Sequence, residues 1–82
     1  TTTLMGSAPE AQISIPHPQV NPHHASILRQ ERGFVLRDLA SEVGTFINGH
    51  PVTEAVWIHP GDVIGLGEEV ELLMQAWEAS VE

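Results

Sequence analysis

The sequence predicts an all-β domain, a sandwich of two sheets built from about nine to eleven short strands. Short alternating apolar runs recur along the chain, separated by turn-forming residues every eight to twelve residues or so, which is typical of sandwiches and barrels. The strongest turn signals are Asn48-Gly49 and Pro60-Gly61. Both need residues that tolerate positive φ, which asparagine and glycine do best.

Each strand is predicted from an apolar or β-branched run bounded by turn formers. The runs are residues 3–5, 13–15, 25–30, 33–38, 46–47, 51–52, 63–66 and 70–74. Glu31-Arg32 is short and polar enough for a hairpin turn. Prolines 16, 18 and 22 forbid a helix before residue 25.

The two tryptophans lie in ambiguous segments. At least one residue of the run 56–58 must point outward; a core position is favoured for Trp57, and an exposed anchor for a partner is the alternative. Residues 69–79 fit a strand or, with Trp77 on an apolar stripe, a helix. We favour a strand to about residue 75, followed by a loose or helical tail, residues 76–82, with Trp77 packed on the sandwich.

The length of 82 residues predicts a single domain over residues 1–82, with residues 4–75 as its core. Because the chain does not begin with methionine, we expect a fragment of a larger protein. The absence of cysteine excludes disulfide scaffolds, thiolate metal sites and cysteine nucleophiles, and it fits a cytoplasmic location. No apolar run approaches the ~20 residues of a membrane span.

The charge balance restricts the class of partner. The chain has three arginines, no lysine and eleven acids, which give a formal net charge of −8. Phosphate backbones and anionic lipid surfaces are bound by dense lysine and arginine, so nucleic acid and membrane are excluded as partners. The acids, most of which follow residue 41, are interpreted as a solubility face. The expected partner is therefore a protein or peptide.

Catalysis, metal binding and cofactors are not predicted. The adjacent pair His23-His24 points to opposite sides of an extended chain, and zinc-ligand spacings are missing. The fragment Gly65-Leu66-Gly67 lacks the strand–loop–helix context of a nucleotide site. Serines 7, 26 and 41 have no nucleophile-elbow glycines around them.

Several spaced blocks of the sequence resemble the forkhead-associated (FHA) domain, a β-sandwich of the FHA/SMAD type that binds phosphothreonine peptides through loops at one end. The blocks are Met5-Gly6-Ser7, Ile13-Ser14-Ile15, His24, Asp38-Leu39, Ser41, Gly44-Thr45-Phe46, Asn48-Gly49 and the run from Gly61 to Gly67. The resemblance implies scaffold roles for Gly6, His24, Asp38, Gly44, Thr45, Gly49, Gly61 and Asp62. In relatives the histidine braces a loop rather than touching the ligand.

The same resemblance implies a peptide-binding loop surface made of Ser7, Asn21, Pro22, Glu42, Val43 and Asn48, but its phosphate-binding chemistry is missing. Ser7 replaces the family's arginine, Asn21 its serine and Pro22 its basic or polar residue. Glu42 replaces a donor, and Val43 replaces the asparagine that holds the peptide backbone. A phosphothreonine carries about −1.5 to −2 charges and needs fixed donors.

These departures lead to two hypotheses. The first is a non-catalytic, phospho-independent protein-interaction module in a larger bacterial-style regulatory, secretion or transport protein. The alternative is a phosphothreonine reader with an atypical pocket, in which Arg29 or Arg37 reaches the phosphate. Relatives also carry an extra strand before the first glycine block, so we expect an open sheet edge, through which a second copy could pair to form a homodimer.

Overall fold

The computed structural model describes residues 1–74, which form two packed β-sheets. The strands are β1 (Thr2–Gly6), β2 (Ile13–Ser14), β3 (Ala25–Gln30), β4 (Gly33–Asp38), β5 (Thr45–Ile47), β6 (His50–Pro51), β7 (Val56–Ile58), β8 (Val63–Leu66) and β9 (Val70–Leu73). The predicted all-β sandwich is confirmed, and the nine strands in the described part of the chain fall within the predicted number. Within that part, no helix is long and apolar enough to cross a membrane.

The first sheet has the order β2-β1-β3-β4-β7 and the second the order β6-β5-β8-β9. The β3–β4 hairpin is in register from Ala25 opposite Asp38 to Gln30 opposite Gly33. In β4, Phe34 and Leu36 are buried while the alternate residues face outward, which is the two-residue period of a half-buried strand. This alternation fixes which side chains of the first sheet reach the core.

The core lies between the two sheets. It collects apolar side chains from both inner faces and from the loops that close the sandwich: Met5, Val20, Ala25, Ile27, Phe34, Leu36, Val52, Ile58, Ile64, Leu66 and Met74. Among the largest fully buried side chains, two are polar, His24 and Thr45. Burying polar groups is costly unless they are hydrogen-bonded, so both point to a built network at one end of the sandwich.

The pairing register brings several strand ends to the same end of the sandwich. Met5 lies opposite Ala25, Ala25 lies opposite Asp38, and Thr45 lies opposite Leu66. The loops at this end of the sandwich, residues 7–12, 15–24, 39–44, 52–55 and 67–69, are called the apical loops below. The turns after β3, β5 and β7 lie at the opposite end, because their strands run the other way.

The tryptophan assignment is where the sequence-based prediction of the core was wrong. Residues 56–58 form β7, a strand that was not predicted, and it pairs with β4 at the edge of the first sheet. Ile58 is buried, whereas Trp57 is 49% exposed on the outer face. The predicted tail of residues 76–82 and the packing of Trp77 lie outside the described residues.

Candidate functional site

The first apical contact is a close approach of two backbones at Gly6. The Ser7 N–H donates to the Asn21 carbonyl over 2.8 Å, and the Ala8 N–H to the Pro22 carbonyl over 3.3 Å. A Cβ atom on Gly6 would lie 1.9 Å from the Pro22 carbonyl oxygen. Only glycine fits there, since a non-bonded carbon and oxygen cannot approach so closely.

His24 braces two apical loops from within the protein. Its ring is fully buried; Nδ1 accepts the Asn21 N–H over 3.1 Å, and Nε2 lies 2.9 Å from the Gly44 carbonyl oxygen. Because Nδ1 accepts, the ring proton must be on Nε2, which donates to Gly44. The neutral imidazole therefore ties the loop before β3 to the loop before β5.

Asn21 makes a second connection between the same loops. Its side-chain Oδ1 accepts the Glu42 N–H over 2.8 Å. This bond fixes the orientation of the amide, since only the oxygen can accept. The Nδ2 group is left without a hydrogen-bond partner among residues 1–74. It is a donor available to a ligand beside the exposed Glu42 and Pro22.

Asp38 organises the loop between β4 and β5. Its carboxylate accepts hydrogen bonds from the Ser41 N–H over 3.1 Å, from the Ser41 hydroxyl, and from the buried Thr45 hydroxyl over 2.6 Å. Burial raises the pKa of Asp38, but the hydrogen bonds from Ser41 and Thr45 outweigh it and hold that pKa below its ordinary value. Ser41 is thereby engaged within the protein.

Gln19 is a structural residue of the apical end that the sequence reasoning missed. Its side-chain Oε1 accepts the N–H groups of Glu68, over 2.7 Å, and of Glu69, over 3.1 Å. His17 adds a polar contact of 3.2 Å between its Nε2 and the Glu69 carboxylate. These contacts join residues about fifty positions apart, and no local pattern around a glutamine in a proline-rich loop signals them.

The structure brings together five of the six candidate peptide-binding residues. Ser7 hydrogen-bonds Asn21 through the backbone, Asn21 is followed by Pro22 and bonds Glu42, and Glu42 is followed by Val43. We call these five residues, Ser7, Asn21, Pro22, Glu42 and Val43, the apical surface. Pro22, Glu42 and Val43 are exposed, while Ser7 and Asn21 are half-buried.

Asn48, the sixth candidate, lies elsewhere. It follows β5 at the end opposite the apical loops, and its backbone N–H donates to the Val63 carbonyl. Its Nδ2 donates to Asp62 over 3.0 Å, while its Oδ1 accepts the Val63 N–H over 2.9 Å. With φ values of 50° at Asn48 and 86° at Gly49, the pair forms the predicted positive-φ turn.

Asp62 is fixed in the same way at that opposite end. Hydrogen bonds from Asn48 Nδ2 and from the His59 N–H lower the pKa of its carboxyl. The Asp62 N–H in turn donates to the His59 carbonyl across Pro60-Gly61, and Gly61 has a φ of 98°. These contacts tie the hairpin after β5 to the turn before β8, so both residues act on the scaffold rather than on the apical surface.

The apical loops contain no arginine or lysine. They contain five acids, Glu10, Glu42, Glu54, Glu68 and Glu69. Arg29 lies four residues beyond Ala25 along β3, about 13 Å toward the other end of the strand. Arg37 neighbours Asp38 in β4, but successive strand residues point to opposite faces, so it faces outward from the first sheet while Asp38 faces the loop.

Metal-ligating side chains do not converge within residues 1–74, where no group of three histidine, aspartate or glutamate side chains is close enough to hold an ion. The hydroxyls of Ser41 and Thr45 both donate hydrogen bonds to the Asp38 carboxylate. What the apical surface offers is hydrogen-bonding and van der Waals contact: an amide donor, a carboxylate and two exposed apolar side chains, Pro22 and Val43.

Comparison with known proteins supports this reading of the scaffold. The sequence model of the FHA domain matches residues 3–67. The chain is 38% identical over 63 residues to an ABC transporter ATP-binding/permease protein of Mycobacterium tuberculosis, covering 77% of this chain and 7% of that protein. It is 33% identical over 67 residues to an oxoglutarate dehydrogenase inhibitor of Corynebacterium diphtheriae, covering 82% of this chain and 46% of that protein.

A solved structure from work on phosphothreonine-dependent FHA domain interactions superimposes with a TM-score of 0.84 at 31% identity, covering 92% of this chain and 76% of that one. The chain thus spans less than half the length of each curated relative, but most of the solved domain. It belongs to the FHA domain family, whose members are non-catalytic protein–protein interaction modules that usually bind phosphothreonine.

Proposed function

We propose that this FHA domain binds a protein or peptide segment through the apical surface without requiring that the segment be phosphorylated. The observation that carries the proposal is the charge of the apical end. Its loops contain five acids but no arginine or lysine, and the position following Gly6 is Ser7. A partner segment that is neutral or basic matches this surface better than a doubly anionic phosphate does.

The charged donors that a phosphate needs are missing from the apical surface. Hydrogen bonds to charged groups contribute roughly 1.5–3 kcal/mol each. Losing two of them would weaken binding about a hundredfold or more, since every ~1.4 kcal/mol is tenfold. The exposed Glu42 carboxylate adds repulsion, while the free amide of Asn21 and the side chain of Ser7 provide two uncharged polar groups.

The alternative, a phosphothreonine reader with an atypical pocket, draws its support from relatives whose FHA domain interactions depend on phosphothreonine. In this chain Arg29 lies toward the far end of β3, and Arg37 faces outward from the first sheet. A phosphate bound at the apical surface would therefore have to be held by Asn21 and Ser7 without a guanidinium. Such a site would bind phosphate weakly, because neither side chain offers a charged donor.

The experiment is a paired titration. A peptide array synthesised in threonine and phosphothreonine forms selects a binding sequence, and both forms of it are then titrated by fluorescence anisotropy at several salt concentrations. We expect equal affinity for the two forms, and weaker binding of both to an Asn21→Ala variant than to a His23→Ala control. A preference for the phosphorylated form that declines with ionic strength would establish the alternative instead.

We further propose that this domain is one module of a larger protein. The curated relatives are a transporter and an enzyme inhibitor that both extend beyond the matched region, which supports a module within a larger bacterial regulatory or transport protein. A cytoplasmic location remains a prediction from the composition.

Homodimerisation through a sheet edge also remains a prediction. The longest edge strand among residues 1–74 is β9, and its Leu73 is 60% exposed. Sedimentation at high concentration tests it, and a monomer there contradicts it.

A further inference from the structure

The outer face of the five-stranded sheet carries a row of apolar side chains. The register places Leu28 of β3 opposite Val35 of β4, and Val35 opposite Trp57 of β7. Leu28 is 37% exposed and Trp57 is 49% exposed, so two of the four exposed large hydrophobic residues within residues 1–74 stand in one row. Contiguous apolar side chains on a small domain mark interaction surfaces more often than scattered ones do.

A hollow of about 160 Å³ lies beside this row. Its walls are Thr2, Ser26, Leu28, Val35 and Arg37. Trp57 does not fill it, because its ring leans the other way: two ring carbons lie 3.8 Å from where a Cβ on Gly33 would be. The hollow thus has an apolar floor, two hydroxyls and, at the end nearer the apical loops, a guanidinium.

The charge on this face is opposite to that of the chain as a whole. Among the strand residues that the register places on it, Arg37 alone is charged, and it is a cation in a chain of net charge −8. Arg37 is exposed and forms no ion pair with any of residues 1–74. It also borders a neighbouring hollow of about 490 Å³ that includes Asp38 and Glu54, yet neither carboxylate lies within ion-pairing distance of it.

We propose that the outer face of the five-stranded sheet is a second binding surface, which takes an extended protein segment bearing an apolar side chain and, two positions away, a carboxylate. Residues two apart in an extended chain project from the same side, about 7 Å apart. The same spacing separates Val35 from Arg37 in β4, so an apolar side chain in the hollow places the carboxylate at the guanidinium.

Trp57 supplies the apolar anchor of this surface. Tryptophan and arginine are the residues most enriched among the energetically dominant contacts of protein interfaces. Here Trp57 lies opposite Val35 on the adjacent strand, and Arg37 lies two residues beyond Val35 along β4. The surface is distinct from the apical one, so the proposal holds whether or not the apical surface prefers phosphate.

The test uses the ¹⁵N-labelled chain and a short capped peptide of serines that carries one leucine and, two positions later, one glutamate. We expect saturable NMR shift changes at the amides of Leu28 and Val35 and at the Trp57 indole N–H. Arg37→Gln should weaken binding about tenfold, because it removes a charge-assisted contact. The matched control is Arg32→Gln, which makes the same charge change in the hairpin turn and should leave the affinity within about twofold.

A second pair of variants tests the apolar contribution. Trp57→Ala should weaken binding by roughly tenfold or more, whereas Leu73→Ala, at an exposed position on the other sheet, should not. Equal weakening by the two arginine variants, shift changes confined to the apical loops, or no binding would each overturn the proposal. Preserved spectral dispersion in Arg37→Gln separates a loss of contact from a loss of fold.

Discussion

The side-chain oxygen of Asn21 accepts the backbone N–H of Glu42 over 2.8 Å, while the backbone N–H of the same Asn21 donates to the ring of His24. One residue thus connects two loops and is itself held by a buried imidazole. The chemistry of the apical surface depends on this arrangement. The side-chain oxygen of Asn21 is hydrogen-bonded within the protein, whereas its amide N–H group is available to a ligand.

His24→Ala should destabilise the domain by about 2–4 kcal/mol, because it leaves a buried cavity and unpairs the Asn21 N–H and the Gly44 carbonyl. The measurement is urea unfolding followed by tryptophan fluorescence. The neighbouring His23 is exposed, so His23→Ala is the matched control and should change stability by less than about 0.5 kcal/mol. Equal effects of the two substitutions would contradict the bracing role.

Gly6→Ala should be among the most damaging single-methyl additions in the chain. The added carbon would lie 1.9 Å from the Pro22 carbonyl oxygen, so the backbone must move, and we expect a loss of about 3 kcal/mol or more. In Gly49→Ala the added carbon meets no atom within 4 Å, so the substitution is opposed only by the strain of an alanine at positive φ. That control should lose about 1–2 kcal/mol. A thermal or urea unfolding series compares them, and a smaller loss at Gly6 would count against the close approach.

The domain should lose stability in acid partly through Asp38. The pKa of Asp38 is lowered in the folded state, so its stabilisation is complete above the ordinary carboxyl pKa of about 4 and is lost as the pH falls through the folded-state value. Asp38→Asn should therefore flatten the fall in unfolding free energy between about pH 5 and pH 2. Ser41→Ala, which removes one hydroxyl donor, should flatten it less. An unchanged slope in Asp38→Asn would refute this assignment.

Two substitutions at the apical surface should give it a preference for phosphothreonine. In a Ser7→Arg/Glu42→Ser double variant, the guanidinium would stand beside Asn21 and the repelling carboxylate would be gone. We expect a phosphothreonine peptide to bind about tenfold or more tighter than its threonine counterpart, as one charge-assisted contact predicts. The Ser7→Gln/Glu42→Ser variant, which adds no charge, should show no such preference. Anisotropy titrations of both peptides against both variants decide it.

The alternation of apolar residues and the turn-forming dipeptides made most of the fold predictable from sequence. Asn48-Gly49 and Pro60-Gly61 act through local φ preferences, and the alternating run in residues 33–38 marks its own buried face, so neighbouring residues alone carry the signal. The short strand β7 escaped prediction because its three residues are all apolar and show no alternation, whereas the equally short β5 is marked by the Asn48-Gly49 turn that follows it. The resemblance to the FHA family identified five residues that do meet at the loop end, but it also included Asn48, which the chain uses as a turn.

The sequence by itself therefore determined the all-β class, the order of most strands and the absence of a cation from the loops of the apical end, because each is a property of composition or of residues close together in the chain. Only the tertiary structure decided that Gln19 caps the turn at residues 68–69, that Asn21 joins the loop of Glu42, and that Trp57 lies on the outer face. These are pairings between distant segments, set by how two sheets pack, and an isolated stretch of sequence contains no record of its partner across the sandwich.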